Sequence, residues 1–95
     1  MGNLKQQEKI EASFIINFID NKIAKFEDAI KYHKNNNYLI QKKIFKLRSG
    51  KYSIDEIAEL ENEIELFDET IIELENKIAY YINKKSLIEE EINKL

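Results

Sequence analysis

The sequence contains no cysteine, no proline and no tryptophan, and only two of its 95 residues are glycine. Without cysteine the chain has neither a disulfide framework nor a thiolate metal site, and it fits a reducing compartment. Proline and glycine most often mark turns, so their scarcity indicates a chain with few turns. Such a chain is either largely helical or disordered, and its regular supply of Ile, Leu and Phe favours helix.

Long hydrophobic runs are also missing. No uninterrupted apolar run approaches the roughly 18 residues of a membrane span. The N-terminal stretch MGNLKQQEKIEAS has neither the apolar segment nor the cleavage site of a signal peptide. We therefore expect a cytoplasmic protein of one domain that does not bind a membrane.

A heptad repeat of apolar residues dominates the rest of the sequence. Steps of alternately three and four residues trace one series over 16–47 and another over 57–95, and 19 of their 22 positions are apolar. About nine would be expected by chance from the hydrophobic content of 43%. We call these positions the seam; they are the a and d positions of the heptad abcdefg, with Ile16 and Ile57 at a. The seam residues are Ile16, Ile19, Ile23, Phe26, Ile30, His33, Asn37, Ile40, Ile44, Leu47, Ile57, Leu60, Ile64, Phe67, Ile71, Leu74, Ile78, Tyr81, Lys85, Ile88, Ile92 and Leu95.

A turn is predicted between the two series, in the stretch LRSGKYSIDE. Gly50 suits the residue after a helix end, where a left-handed backbone is needed. Ser53 and Glu56 have the spacing of a capping box, and Tyr52 and Ile57 that of a hydrophobic staple. We therefore predict a helix over about residues 4–48, a turn over about 49–53 and a second helix over about 54–94.

Two long helices joined by so short a turn predict an all-α fold, an antiparallel coiled-coil hairpin. The charges support this pairing. Residues 31–51 include seven basic and no acidic side chains, and residues 55–75 include ten acidic and no basic ones. Folding about residue 51 places residue i beside about residue 102 − i, so that the basic block faces the acidic block.

Large apolar residues remain outside the seam, mostly at b and c positions of the heptad. A single hairpin buries only one side of each helix, so this second set predicts dimerisation into a four-helix bundle. We therefore expect a homodimer. The candidate partner-binding stripe consists of Phe14, Phe18, Tyr32, Tyr38, Leu39, Phe45, Leu66, Ile72 and Tyr80.

Three polar residues, His33, Asn37 and Lys85, interrupt the seam. The heptad phase continues unbroken through the polar stretch YHKNNNY, which predicts one continuous helix there. We interpret His33 and Asn37 as a polar layer that sets register and oligomeric state. The predicted pairing places His33 near Asp68 and Glu69, and Lys85 near Asn17 and Asp20. With one histidine and no cysteine in the chain, we predict no metal site.

The basic block, with Tyr32, Tyr38 and Phe45 interleaved, suggests an alternative function. Basic side chains contact phosphates and aromatic rings stack on bases. In architecture, the predicted hairpin resembles the Rop-type plasmid RNA-binding proteins, which are two-helix hairpins that dimerise. The resemblance covers architecture only; the candidate nucleic-acid contacts are the basic residues of the block, Lys31, Lys34, Lys42, Lys43, Lys46, Arg48 and Lys51.

Catalytic motifs are absent from the sequence: it contains no glycine-rich phosphate loop, no HExxH and no G-x-S-x-G. We therefore expect a protein that is not an enzyme and needs no cofactor. The expected function is to self-associate and to bind a protein partner, as a small regulator, inhibitor or adaptor of the kind that phages and plasmids encode. A structural spacer or scaffold is a further alternative.

Overall fold

The computed structural model describes residues 2–50 and 53–95, with the side chains of residues 5–50 and 53–95. The described chain forms two α-helices, α1 (Gly2–Ser49) and α2 (Ile54–Lys94). They pack against each other as an antiparallel hairpin of 76 × 14 × 13 Å. The predicted all-α helical hairpin is confirmed.

The seam forms the interface between the two helices. Every seam residue from Ile16 to Ile92 is buried or half-buried, whereas Leu95 at the chain end is exposed. Heptad spacing keeps these residues on one side of each helix, so a single long stripe is removed from water. Apolar burial of this kind contributes about 1.5–3 kcal/mol for each fully buried large side chain. Among the described residues the buried apolar side chains are Ile19, which is fully buried, and Ile30, Ile44, Ile57, Leu60 and Ile71.

Helix α1 continues without interruption through residues 32–38, as the unbroken heptad phase predicts. Asn35 is exposed and Asn36 is half-buried, while Asn37 is buried against α2. Asparagine is a poor helix former because its side chain competes for backbone hydrogen bonds. The apolar seam on either side of this stretch, with Ile30 and Ile44 buried, keeps the stretch helical.

The apolar core is most continuous at the turn end of the hairpin. There Ile44, Ile57 and Leu60 form a buried cluster. Three half-buried neighbours pack against that cluster: Ile40, Leu47 and Ile64. This cluster holds the end of α1 against the start of α2.

The end of α1 differs from the prediction. No described glycine has a positive φ, so the left-handed conformation predicted for Gly50 is wrong. Instead, the Gly50 amide donates to the carbonyl oxygen of Leu47 at 3.4 Å, a three-residue closure that tightens the last turn. Such a closure occupies a carbonyl at the helix end without a left-handed residue. Lys51 and Tyr52, and with them the predicted staple, lie outside the described residues.

The start of α2 is capped by Ser53, which has an extended backbone with φ −103° and ψ 127°. Its Oγ accepts a hydrogen bond from the Glu56 amide at 3.4 Å, and its carbonyl accepts the first helical bond, from the Ile57 amide, at 3.1 Å. Asp55 and Glu56 in the first turn complement the positive end of the helix dipole.

Candidate functional site

Asn37 lies in the middle of the seam and has only 7% of its surface exposed. Its Nδ2 donates a hydrogen bond to Oδ1 of Asp68 on α2 at 2.7 Å. Its other polar atom, Oδ1, is buried and has no hydrogen-bond partner among the described residues. The residue therefore links α1 to α2 through one bond, at the cost of one unsatisfied acceptor.

His33, one turn before Asn37, is half-buried against an aromatic ring rather than a carboxylate. The centroid of its ring lies 5.2 Å from that of Phe67 on α2 and 5.5 Å from that of Tyr32. Its Nδ1 is buried without a hydrogen-bond partner among the described residues. Asp68, predicted to lie near His33, is bonded to Asn37 instead, because the numbers of the bonded seam residues and their partners add up to 105 rather than the predicted 102.

Lys85 is anchored by the carboxylate predicted for it. Its Nζ lies 2.8 Å from Oδ1 of Asp20 and 4.0 Å from Oε1 of Glu89. The hydrogen bond to Asp20 raises the pKa of Lys85 above its usual value of 10.5, and the charge of Asp20 adds to the effect. Only 32% of the Lys85 side chain is exposed, so its stem covers the seam while the ammonium meets its partners at the edge.

The polar contacts between the helices identify the two sides of the hairpin. Arg48 Nη2 lies 2.6 Å from Oε1 of Glu61, and both residues are e positions. Asp20 and Asp68, the acidic partners of the two seam residues described above, are e positions as well. The e positions of both helices therefore meet along one side of the seam, and the g positions along the other. On a helix surface b lies beyond e and c lies beyond g, so we name the two sides the e/b face and the g/c face.

The nine residues of the predicted stripe are all exposed, by 53–72% of their surface, but they do not form one stripe. Because b and c positions lie on opposite sides of the seam, the set divides between the two faces, with Phe14 at f on the outer surface. The g/c face carries Phe18, Tyr32, Leu39, Leu66 and Tyr80. The e/b face carries Tyr38, Phe45 and Ile72.

Further exposed apolar residues, not included in the predicted stripe, extend both faces. Leu87 and Ile15 belong to the g/c face, and Ile10, Ile54 and Ile82 to the e/b face. The signal for Leu87 is heptad spacing, since it follows Tyr80 by seven residues at the next c position. The two faces are therefore similar in their number of large apolar side chains.

The described basic residues of the predicted nucleic-acid segment are all exposed, but they are spread around α1. Lys31 is at b, Lys34 at e and Lys43 at g, while Arg48 is paired with Glu61. Lys42 at f places its ammonium 5.5 Å from the centroid of the Tyr38 ring. Lys46, the last described member of this predicted set, is at c, and Lys51 lies outside the described residues.

An open cleft of about 560 Å³ lies between the helices at the end opposite the turn. Its floor is apolar, formed by Ala12, Ile15, Ile88 and Ile92. Carboxylates stand at its rim, but no group of three or more His, Asp or Glu side chains able to hold a metal ion occurs among the described residues. Within the same residues, neither helix is long and apolar enough to cross a membrane.

Comparison with known proteins adds no relative. No protein-family model, no curated protein and no solved structure matches this chain. A functional interpretation therefore rests on the exposed faces and on the polar residues of the seam.

Proposed function

We propose that this chain is a non-enzymatic helical hairpin that binds other protein chains, a second copy of itself among them. It would act as a small regulator, inhibitor or adaptor. One observation carries the proposal: the seam is already filled within the hairpin, and the nine large apolar side chains of the predicted stripe remain exposed by 53–72%, eight of them on the two faces and Phe14 on the outer surface. Monomeric soluble proteins rarely present extended apolar patches, and such patches often mark interaction sites.

Self-association is the simplest way for a hairpin of this kind to cover a second apolar face. Two hairpins stacked face to face form a four-helix bundle, and a two-fold axis uses the same surface on both copies. The slender shape supports this, because a hairpin only 13–14 Å across has a large surface relative to its core. We expect a particle of twice the 11.3 kDa chain mass.

The nucleic-acid alternative has weaker support. A nucleic-acid site is usually a basic patch on one face, whereas these lysines are spread around α1 beside the ten acidic residues of 55–75. The net charge of −3 also disfavours binding to phosphates.

Light scattering on the purified protein at tens of micromolar tests the self-association. A dimeric mass supports the proposal, and a monomeric mass at every concentration contradicts it. Smooth growth into larger assemblies with concentration would instead favour the structural spacer.

The partner-binding part needs a separate experiment in the native host. We expect affinity purification to give a complex of fixed stoichiometry that re-forms from the two purified proteins. Substitution of exposed apolar residues, such as Phe45→Glu and Ile72→Glu, should weaken that complex while leaving the helical content unchanged. A salt-sensitive complex with RNA or DNA, and no protein partner, would favour the Rop-like alternative.

A further inference from the structure

The c positions of the two helices form two exposed rows along the g/c face. Successive members of a row are seven residues apart, which is about 10.5 Å along a helix. The row on α1 consists of Glu11, Phe18, Lys25, Tyr32, Leu39 and Lys46. The row on α2 consists of Glu59, Leu66, Glu73, Tyr80, Leu87 and Lys94.

The polar contacts of the two seam residues Asn37 and Lys85 indicate which members of the two rows lie at about the same height. Asn37 bonds Asp68 and Lys85 bonds Asp20, and in both pairs the residue numbers add up to 105. The same relation pairs each residue of the α1 row with one of the α2 row, and we call each such pair a level. Of the six levels, two join opposite charges, two join apolar side chains, and two join a tyrosine with a charged residue. The levels pair Glu11 with Lys94, Phe18 with Leu87, Lys25 with Tyr80, Tyr32 with Glu73, Leu39 with Leu66, and Lys46 with Glu59.

We propose that a second copy of this chain packs on the g/c face, row against row, to form the four-helix bundle. The inference rests on the proposed self-association and assigns its surface. A two-fold interface must be self-complementary, and the two rows meet this requirement. If the turns lie at the same end, α1 of one copy meets α2 of the other with the six level pairings above.

The rows are also complementary when the turns lie at opposite ends. Each α1 row then meets the α1 row of the second copy in reverse order. Glu11 faces Lys46 of the second copy, and Phe18 faces Leu39 of the second copy. In this arrangement Lys25 approaches the Tyr32 ring of the second copy, a favourable contact between a cation and an aromatic ring.

The e/b face is less suited to burial, although it carries apolar residues as well. It holds the ion pairs Arg48–Glu61 and Lys85–Asp20, which would lose solvent if a second chain covered them. By contrast, three of the four central g positions of the g/c face are neutral, and the fourth, Lys77, places its ammonium 5.9 Å from the centroid of the Phe26 ring. The three neutral residues, Ala29, Asn36 and Thr70, are already half-buried, whereas every e and b side chain with a described burial is exposed.

The area of the g/c face is adequate for a stable interface. The α1 row extends from Glu11 to Lys46, about 50 Å at 1.5 Å per residue. With a hairpin 14 Å wide, the face covers on the order of 700 Å² per chain, near the roughly 800 Å² per partner of standard interfaces. Charge pairs lie at both ends of the rows, as in the polar rim of a typical interface. Each end pair is followed by an apolar level, and the two central levels each combine a tyrosine with a charged residue.

Two adjacent residues of nearly equal exposure provide the first test. Leu39 at c is 53% exposed and Tyr38 at b is 56% exposed. Leu39→Glu should raise the dimer dissociation constant by about tenfold or more, and Tyr38→Glu should change it by less than about threefold. The measurement is sedimentation equilibrium, with circular dichroism to check that both variants remain helical.

The outcomes separate the two proposals. If the protein is monomeric at all concentrations, both the self-association and its assigned face are wrong. If it is dimeric but only Tyr38→Glu weakens the dimer, or if neither variant does, the assigned face is wrong while the self-association stands.

A charge-reversal experiment at low salt tests the row pairing itself. Glu11→Lys should weaken the dimer by about threefold, because it places like charges opposite each other. Lys46→Glu should restore the affinity if the turns lie at opposite ends, and Lys94→Glu should restore it if they lie at the same end. Either rescue supports the row pairing, and failure of both overturns it. Lys31→Glu, a charge reversal at b on the other face, is the control and should leave the affinity unchanged.

Discussion

Asn37 has two polar atoms in different situations, and this determines what the residue contributes. The amide nitrogen is bonded to Asp68, whereas the amide oxygen is buried without a partner among the described residues. Leaving a buried acceptor unsatisfied costs about 1–3 kcal/mol, more than the net gain of about 1 kcal/mol from a typical hydrogen bond. Asn37 therefore fixes the register between the two helices rather than adding to the stability of the hairpin.

We expect Asn37→Leu to raise the free energy of unfolding by about 1–2 kcal/mol in urea denaturation. Leucine removes the unsatisfied oxygen and fills an apolar seam, while Asp68 on the exposed edge regains water. Asn35→Leu, at an exposed f position, is the matched control and should change stability by less than about 0.5 kcal/mol. A loss of stability in Asn37→Leu would mean that the bond to Asp68 outweighs the buried oxygen.

The Lys85–Asp20 pair should make stability depend on alkaline pH. Because the pKa of Lys85 is raised above 10.5 in the folded state, the unfolded chain loses this proton first as the pH rises. The contribution is therefore fully present below about pH 10 and is lost as the pH passes through the folded pKa. Urea denaturation between about pH 9 and pH 12 should show a steeper loss of stability in the wild type than in Lys85→Met.

The double variant Asp20→Asn/Lys85→Met, compared with Asp20→Asn alone, controls for other groups that titrate in this pH range. In the Asp20→Asn background, Lys85→Met should change the pH dependence much less, because the main cause of the shift is gone. An unchanged difference between the two backgrounds would show that Asp20 is not responsible.

At the scale of the helices, the two ends beside the turn are closed by different means. Helix α1 ends with a three-residue closure at Gly50, and α2 begins with the Ser53 cap. The two helix ends should therefore respond differently to alanine substitution: Ser53→Ala should destabilise the hairpin and Gly50→Ala should stabilise it.

Ser53→Ala should lower the free energy of unfolding by about 1 kcal/mol, because the Glu56 amide loses its acceptor. Ser49→Ala is the matched control. The Ser49 hydroxyl donates to the Phe45 carbonyl at 2.8 Å, a bond within the helix that contributes little to its stability. Thermal or urea unfolding of both variants checks the difference, and equal effects would contradict the cap.

Gly50→Ala should stabilise the hairpin by about 0.4–1 kcal/mol, since alanine restricts the unfolded chain. The backbone here does not have a positive φ, and an added Cβ would meet only the Lys46 carbonyl oxygen, at 3.8 Å. A left-handed Gly50 would predict the opposite sign. Urea denaturation therefore distinguishes the two conformations in solution.

The helices and the seam could be predicted because they depend on local periodicity, and Ile19 and Ile71 are buried where the heptad places them. The turn geometry was harder, because the φ of Gly50 depends on how the helices meet rather than on the glycine alone. The register was close: a fold about residue 51 puts Asn37 beside residue 65, whereas its partner is Asp68. The predicted pairing used a sum of 102, whereas this contact and Lys85–Asp20 give residue numbers that add up to 105, a shift of three residues along α2.

The division of the exposed apolar residues between two faces could not be derived from composition. Tyr38 and Leu39 are adjacent in sequence and similarly exposed, but they lie on opposite sides of the seam. Their sides follow from heptad position, since b and c lie on opposite sides of the seam, and contacts such as Arg48–Glu61 show which sides of the two helices adjoin.

At the scale of the whole molecule, the proposed dimer would leave one of the two faces free for a different partner. If the second copy occupies the g/c face, Tyr38, Phe45 and Ile72 on the e/b face remain available. Self-association and partner binding would then use separate residues. Leu39→Glu could weaken the first without removing the second.

The 76 Å length of the hairpin and its single turn also determine the order in which it can form. Near the turn, Arg48 meets Glu61 across 13 positions of sequence, whereas at the far end Lys85 meets Asp20 across 65. Closing a short loop loses less chain entropy than closing a long one, so the cluster of Ile44, Ile57 and Leu60 should assemble first and the rest should zip outward.

Unfolding should retrace this path, opening from the ends of the two helices towards the turn. Hydrogen exchange measured on the Leu39→Glu variant, at a concentration below its dimer dissociation constant, should therefore show amide protection that decreases from Ile57 towards Ile92. Equal protection along α2 would indicate that the hairpin opens all at once.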